Sequence, residues 1–206
     1  VTPIETLRSR VNAKHSDLVG EFESVATLFG AAATKKSDLA AVGRLTPAGV
    51  NAELAGWLAK GVVPQLRRAE KLVAEGKAAL AERRKALSAP AINRTDTARA
   101  AHRAEARAYL RGLNMGQQSG LLIDGDPLFA EAALELPALS GVHADLLDKV
   151  RAAYAERTAP DILAQIEERD SSLSALGSAV EIVKYNLRRE VQPEGKTFDA
   201  WFDSVE

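Results

Sequence analysis

Cysteine is absent from the 206 residues, so disulfide frameworks and thiolate metal sites are excluded. Aromatic residues are scarce at 5%, which disfavours a sheet-based core and leaves few rings for base stacking. No apolar run approaches the ~18 residues that a membrane-spanning helix needs. No repeat of about 20–50 residues is present. The opening Val-Thr-Pro-Ile-Glu lacks the charged-then-apolar pattern of a secretion signal. A start at valine fits loss of an initiator methionine, and the expected setting is the cytoplasm or a larger particle.

Catalytic motifs are missing too. His15, His102 and His143 fall in different expected helices, and none belongs to an H-E-x-x-H arrangement. Gly43-Arg-Leu-Thr-Pro-Ala-Gly49 lacks the Lys-Ser/Thr of a phosphate loop. Asp124-Gly-Asp126 lacks the later acids of a calcium loop and reads as a turn with a helix cap. No serine sits in a G-x-S-x-G elbow. The expectation is a chain with no catalytic residue, metal site or cofactor.

What the sequence does have is helix. Ile162, Ile166, Arg169, Leu173, Leu176, Val180, Val183 and Leu187 alternate steps of four and three, the period of a supercoiling seam with one charged interruption. Thr158-Ala-Pro-Asp161 supplies a capping hydroxyl and a first-turn proline for that helix. Upstream, Leu66, Val73, Leu80 and Leu87 recur every seven residues, with Ala69 and Gly76 between them. These two stretches are expected to pack antiparallel, the alternative being the same segment of another subunit. The predicted fold is all-α: an elongated helical bundle with a long antiparallel coiled-coil-like hairpin.

Proline and glycine divide the chain into five parts. Residues 1–45 form an N-terminal helix, running from the Thr2–Glu5 capping box to Gly30, and a connector. Residues 46–111 form a long helix, kinked near 60–64 by Pro64, and a basic helix that follows the break at 88–95. Residues 112–126, with Gly112, Gly116, Gly120 and Gly125, read as a linker. Residues 127–191 are an acidic helical segment carrying the heptad helix, and 192–206 are an aromatic-acidic tail. Net charge is only −1, yet 60–120 carries 13 basic against 5 acidic residues and 121–206 carries 8 against 17. Blocks of opposite sign can attract within one molecule or between copies.

Two features are candidate contact sites. Arg99, Arg103, Arg107 and Arg111 climb one helix face at steps of four, a candidate phosphate-contact stripe. Pairing with the acidic half accounts for the stripe equally well. Phe198, Trp201 and Phe202, flanked by Asp199, Asp203 and Glu206, share one face of a helical turn. They either anchor in a partner's groove or fold back on the chain's own core.

Leu45-Thr-Pro-Ala-Gly-Val-Asn-Ala-Glu-Leu54, Asp126-Pro-Leu-Phe-Ala-Glu-Ala-Ala-Leu-Glu-Leu-Pro-Ala-Leu-Ser-Gly141, the Arg151-x-x-Tyr154 helix and Ala159-Pro160 together resemble small helical proteins encoded among the structural genes of tailed bacteriophages and prophages. The resemblance covers about residues 45–190 and rests on helix starts and stops. It implies a virion or assembly role and carries no functional residue across. The expected function is a non-enzymatic virion component, oligomeric or bound to other virion proteins, assembled in the host cytoplasm and without a membrane partner. The alternatives are a nucleic-acid-associated protein using the arginine stripe and a cytoplasmic helical adaptor.

Overall fold

A computed structural model describes residues 2–93, 95–193 and 195–205. Val1, Arg94, Glu194 and Glu206 lie outside them, so the Arg94 of the 88–95 break, the Glu194 after the heptad helix and the last acid of the tail are not placed. The described residues form twelve α-helices and no strand. The chain is all-α. It divides into two compact units, Val1–Ala79 with Glu167–Glu206, and Leu80–Ile166.

The first unit begins with α1 (Pro3–Arg8) and α2 (Ser16–Leu28). The Thr2 hydroxyl accepts from the Glu5 N–H at 3.2 Å and the Glu5 carboxylate accepts from the Thr2 N–H at 2.6 Å, the reciprocal cap expected there. The single helix expected up to Gly30 is instead broken at 9–15. Asn12 explains the break: its side-chain oxygen accepts from the Lys14 N–H at 2.9 Å, and its own N–H donates to Ser172 Oγ at 3.1 Å. An asparagine that bonds its neighbouring backbone competes with helix, and here the loop it makes is tied to a distant helix. Gly30, at φ 81°, stops α2. The expected connector then starts as a helix, α3 (Ala31–Ala41), because alanine dominates it and no proline intervenes.

Thr46 caps α4 (Pro47–Gly61), and the expected kink is a break at Val62 before α5 (Val63–Leu87). Pro64 has no N–H, while Val62 still donates to Leu58 O at 2.9 Å and Leu66 to Val62 O at 3.1 Å. The break therefore keeps the backbone bonds that flank it. The heptad stretch lies in α11 (Pro160–Glu190). Within this unit Glu70 bonds Lys184 at 2.8 Å, Val73 faces Gly177, and Gly76 faces Leu173. Numbers that rise on one helix as they fall on the other mean that these stretches run antiparallel. Leu173, Leu176, Val180, Val183 and Leu187 are buried, and so are Ser172, Ala175 and Ala179 beside them. That face is wider than a two-helix seam, because α11 also receives the N-terminal segment. Arg169, the charged interruption, bonds Asp17 of α2 at 2.6 Å. Burial would raise the Asp17 carboxyl, but the Arg169 hydrogen bond acts more strongly and holds it below its usual value.

The second unit contains α6 (Thr97–Arg111), α7 (Met115–Ile123), α8 (Pro127–Glu135), α9 (Pro137–Ser140) and α10 (Ala144–Thr158). Ile162 and Ile166, the first two seam residues, belong to this unit, Ile166 buried and Ile162 half-buried. The glycine-rich stretch expected as a linker holds α7 instead. Asn114 and Gln117 form a reciprocal cap, Leu122 is buried, and buried Gln118 donates to Leu110 O at 2.9 Å. Capping and burial together outweigh the backbone entropy of Gly116 and Gly120. Leu110, Leu122, Ala130, Ala133, Leu146, Leu147 and Val150 form the core.

Candidate interaction surfaces

The tail forms α12 (Phe198–Ser204), with the Thr197 hydroxyl accepting from the Ala200 N–H at 3.3 Å. Phe198 and Phe202 are 6% and 3% exposed, so the two rings lie inside the first unit and not on an outward anchor surface. Trp201, at the edge, is half-buried and 5.6 Å from the Phe198 ring. Three cations surround the rings. Lys184 Nζ is 4.7 Å from the centre of Phe202, and the guanidiniums of Arg67 and Arg188 are each 5.6 Å from a ring, Phe202 and Phe198 respectively. Arg67 Nη2 donates to the Phe202 carbonyl at 2.6 Å, placing a cation at the negative end of α12, and Arg188 pairs with Asp199. Burial would lower the Lys184 ammonium, but Glu70 beside it raises it above its ordinary value. Of the two alternatives open for the tail, Phe198 and Phe202 take the fold-back on the chain's own core, and Trp201 stands at its edge.

The arginine stripe is turned inward as well. Arg103 and Arg107 are 2% and 8% exposed, and both donate to one carboxylate, Glu135, at 2.9 and 2.8 Å. Arg107 also donates to Ala132 O at 3.3 Å. At the two ends, Arg99 donates to both oxygens of Glu131 at 3.1 Å and Arg111 to Leu139 O at 2.6 Å. Ala130, Ala132 and Ala133 are fully buried on α8, and small residues there let the arginine-bearing helix lie close. Burial pushes the Glu135 carboxyl up, and hydrogen bonds from Arg103 and Arg107 more than reverse this, leaving it below its usual value. The phosphate-contact expectation is therefore withdrawn for Arg103 and Arg107, since a buried guanidinium bonded to carboxylate has no free face for phosphate.

Two apolar surfaces that periodicity did not indicate stand out instead. Val42, Leu45 and Trp57 are 60%, 40% and 36% exposed on the α3–α4 hairpin. Ala32 is the buried residue of α3, so that helix covers almost none of the unit's core. Trp57, with Lys35 Nζ 6.0 Å from its ring, separates two shallow clefts of about 370 and 280 Å³. In the second unit Tyr109, Met115, Leu136 and Leu139 are exposed. A cleft of about 390 Å³ there is lined by His102, Glu105, Ala106, Tyr109, Leu128 and Phe129. The sequence signals only the placement of α3, whose lack of amphipathic contrast gives it no apolar face to lay on a core.

The three histidines do not converge. His15 and His143 stand at the starts of α2 and α10, and His102 lines the cleft on α6. Among the described residues no three His, Asp or Glu side chains come together in a metal-holding group, and no helix is long and apolar enough to cross a membrane. Comparison with protein-family models, curated proteins and solved structures finds no match to this chain.

Proposed function

We propose that this chain is a non-enzymatic structural or assembly protein that works through contacts with further copies of itself or other protein subunits, as a bacteriophage virion component assembled in the host cytoplasm. The observation that carries this reading is the exposure of Val42, Leu45 and Trp57 on the α3–α4 hairpin, whose first helix buries Ala32 alone while α4 seats Val50, Leu54 and Leu58 in the core. Exposed apolar side chains on one hairpin favour protein–protein contact, because covering them removes apolar area from water. Within the first unit, the antiparallel pairing of α5 and α11 supports a coiled-coil-like hairpin. The phage setting rests on the resemblance of residues 45–190 alone. No nucleic-acid reading is carried forward, since the centre of the arginine stripe is bonded to Glu135.

Light scattering of the full chain beside a Val42→Glu, Leu45→Glu variant tests the reading. An oligomer for the native chain and a folded monomer for the variant are expected. A compact native monomer at every concentration overturns it and leaves the adaptor alternative.

A further inference from the structure

The tail closes its own unit, yet everything that holds it is modular. α12 is capped from within: Thr197 supplies its N-cap, and Lys196 Nζ donates to Ser204 Oγ at 3.4 Å. Val191, 1% exposed, is buried directly after the end of α11. Among the described residues, no hydrogen bond ties residues 192–197 to another helix beneath. Gly195, at φ 68°, and Pro193 shape this connection, while Lys196 and Thr197 are exposed. The receiving surface is made of side chains on other helices. Arg67 takes the carbonyl end, Arg188 the Asp199 carboxylate, and Lys184 and Arg67 the Phe202 ring. None of these contacts depends on the tail belonging to the same chain.

We propose that the cradle of Arg67, Lys184 and Arg188 also accepts α12 from a second copy, so that copies are joined by exchanged tails. The occupant is the Phe198-Asp-x-x-Phe202 turn, whose two rings and one carboxylate match the three cations of the cradle. Every copy carries both parts. An exchanged tail makes the same contacts as a returning one, so the two states differ mainly in connection entropy. Six linker residues reach up to about 20 Å, enough to turn outward without disturbing Val191. A short tether holds its own tail at an effective concentration on the order of millimolar. Return therefore dominates in dilute solution, and exchange grows where copies are crowded together. The inference rests on the self-association proposed above.

Because the chain lacks cysteine, introduced thiols are unique. Arg188→Cys and Asp199→Cys chains are mixed and treated with a short bis-maleimide, beside the double variant and a mixture of Asp199→Cys with Lys71→Cys. The double variant is expected to link within one chain. The mixture is expected to give interchain product that rises with concentration, roughly tenfold above the Lys71→Cys mixture as specific capture requires. Adding Phe202→Ala to the Asp199→Cys chain is expected to remove that product. An intrachain link with no excess of interchain product overturns exchange, and no link of either kind overturns the cradle itself. Scattering separates the two proposals. An oligomer without interchain product removes tail exchange and leaves self-association standing. A monomer that nevertheless gives the product removes stable assembly and keeps exchange.

Discussion

Each unit is completed by a segment whose sequence leaves both an outward and an inward role open, but the two are completed by different physics. The first unit draws in the aromatic rings of α12, which gain by leaving water, and meets their charged neighbours with cations at the rim. The second draws in two arginines, which lose hydration and are compensated by one shared carboxylate, Glu135. An apolar closure is driven by what it buries. An ionic closure is held by what its removal would leave behind.

The largest expected effect follows from that asymmetry. Glu135→Ala leaves Arg103 and Arg107 without an anion and should cost about 3–5 kcal/mol, read as a lower urea midpoint with faster amide exchange in 97–158. Acid should do the same by degrees. The folded carboxyl titrates below its ordinary 4.5, so its contribution is complete above that value and is lost as pH falls through the lower, folded one. That acid-dependent loss should be missing from Glu135→Ala. Phe202→Ala comes next, at about 3 kcal/mol, with faster exchange in α5 and α11 of the first unit and little change in α6–α10.

Replacing the triad together, as Arg103→Met, Arg107→Met and Glu135→Leu, tests whether the ionic closure is needed for stability at all. The expected outcome lies between no change and a gain of about 2 kcal/mol. A thermal-stability loss as large as that of Glu135→Ala alone would show that the ions supply stability which packing cannot replace. The smallest effects probe the α5–α11 contact. A methyl on Gly76 would come within 2.8 Å of buried Leu173, whereas one on Gly177 would meet Val73 at an ordinary 3.5 Å. Gly76→Ala should therefore lower thermal stability by about 1 kcal/mol, and Gly177→Ala should raise it by about 0.5 kcal/mol through helix propensity. Equal signs for the pair would mean that close approach does not limit this packing.

Most helix starts were legible because local chemistry writes them. Thr2, Thr46, Asp96 and Asp126 each accept the backbone N–H that a cap accepts. The seam residues from Ile166 to Leu187 were legible as buried positions because periodicity reports a face. Two elements were not. α3 lacks amphipathic contrast, and α7 hides behind glycines whose entropic cost is offset by Leu122 and Gln118 reaching partners elsewhere in the unit. The exposed Val42, Leu45 and Trp57 were illegible as a group, since hydropathy does not say which apolar side chains remain outside.

Helical class, most N-caps and the apolar stripe of α11 were properties of the residues alone, because each arises from neighbours within a few positions along the chain. The fate of the two candidate sites was a tertiary decision. Arg103 and Arg107 meet Glu135, 32 and 28 positions away, and Phe202 meets Arg67 across 135. A charge or an aromatic ring carries the same local signature whether its partner is another molecule or its own chain. Only the folded path brings the partner within bonding distance and turns a surface signal into a core.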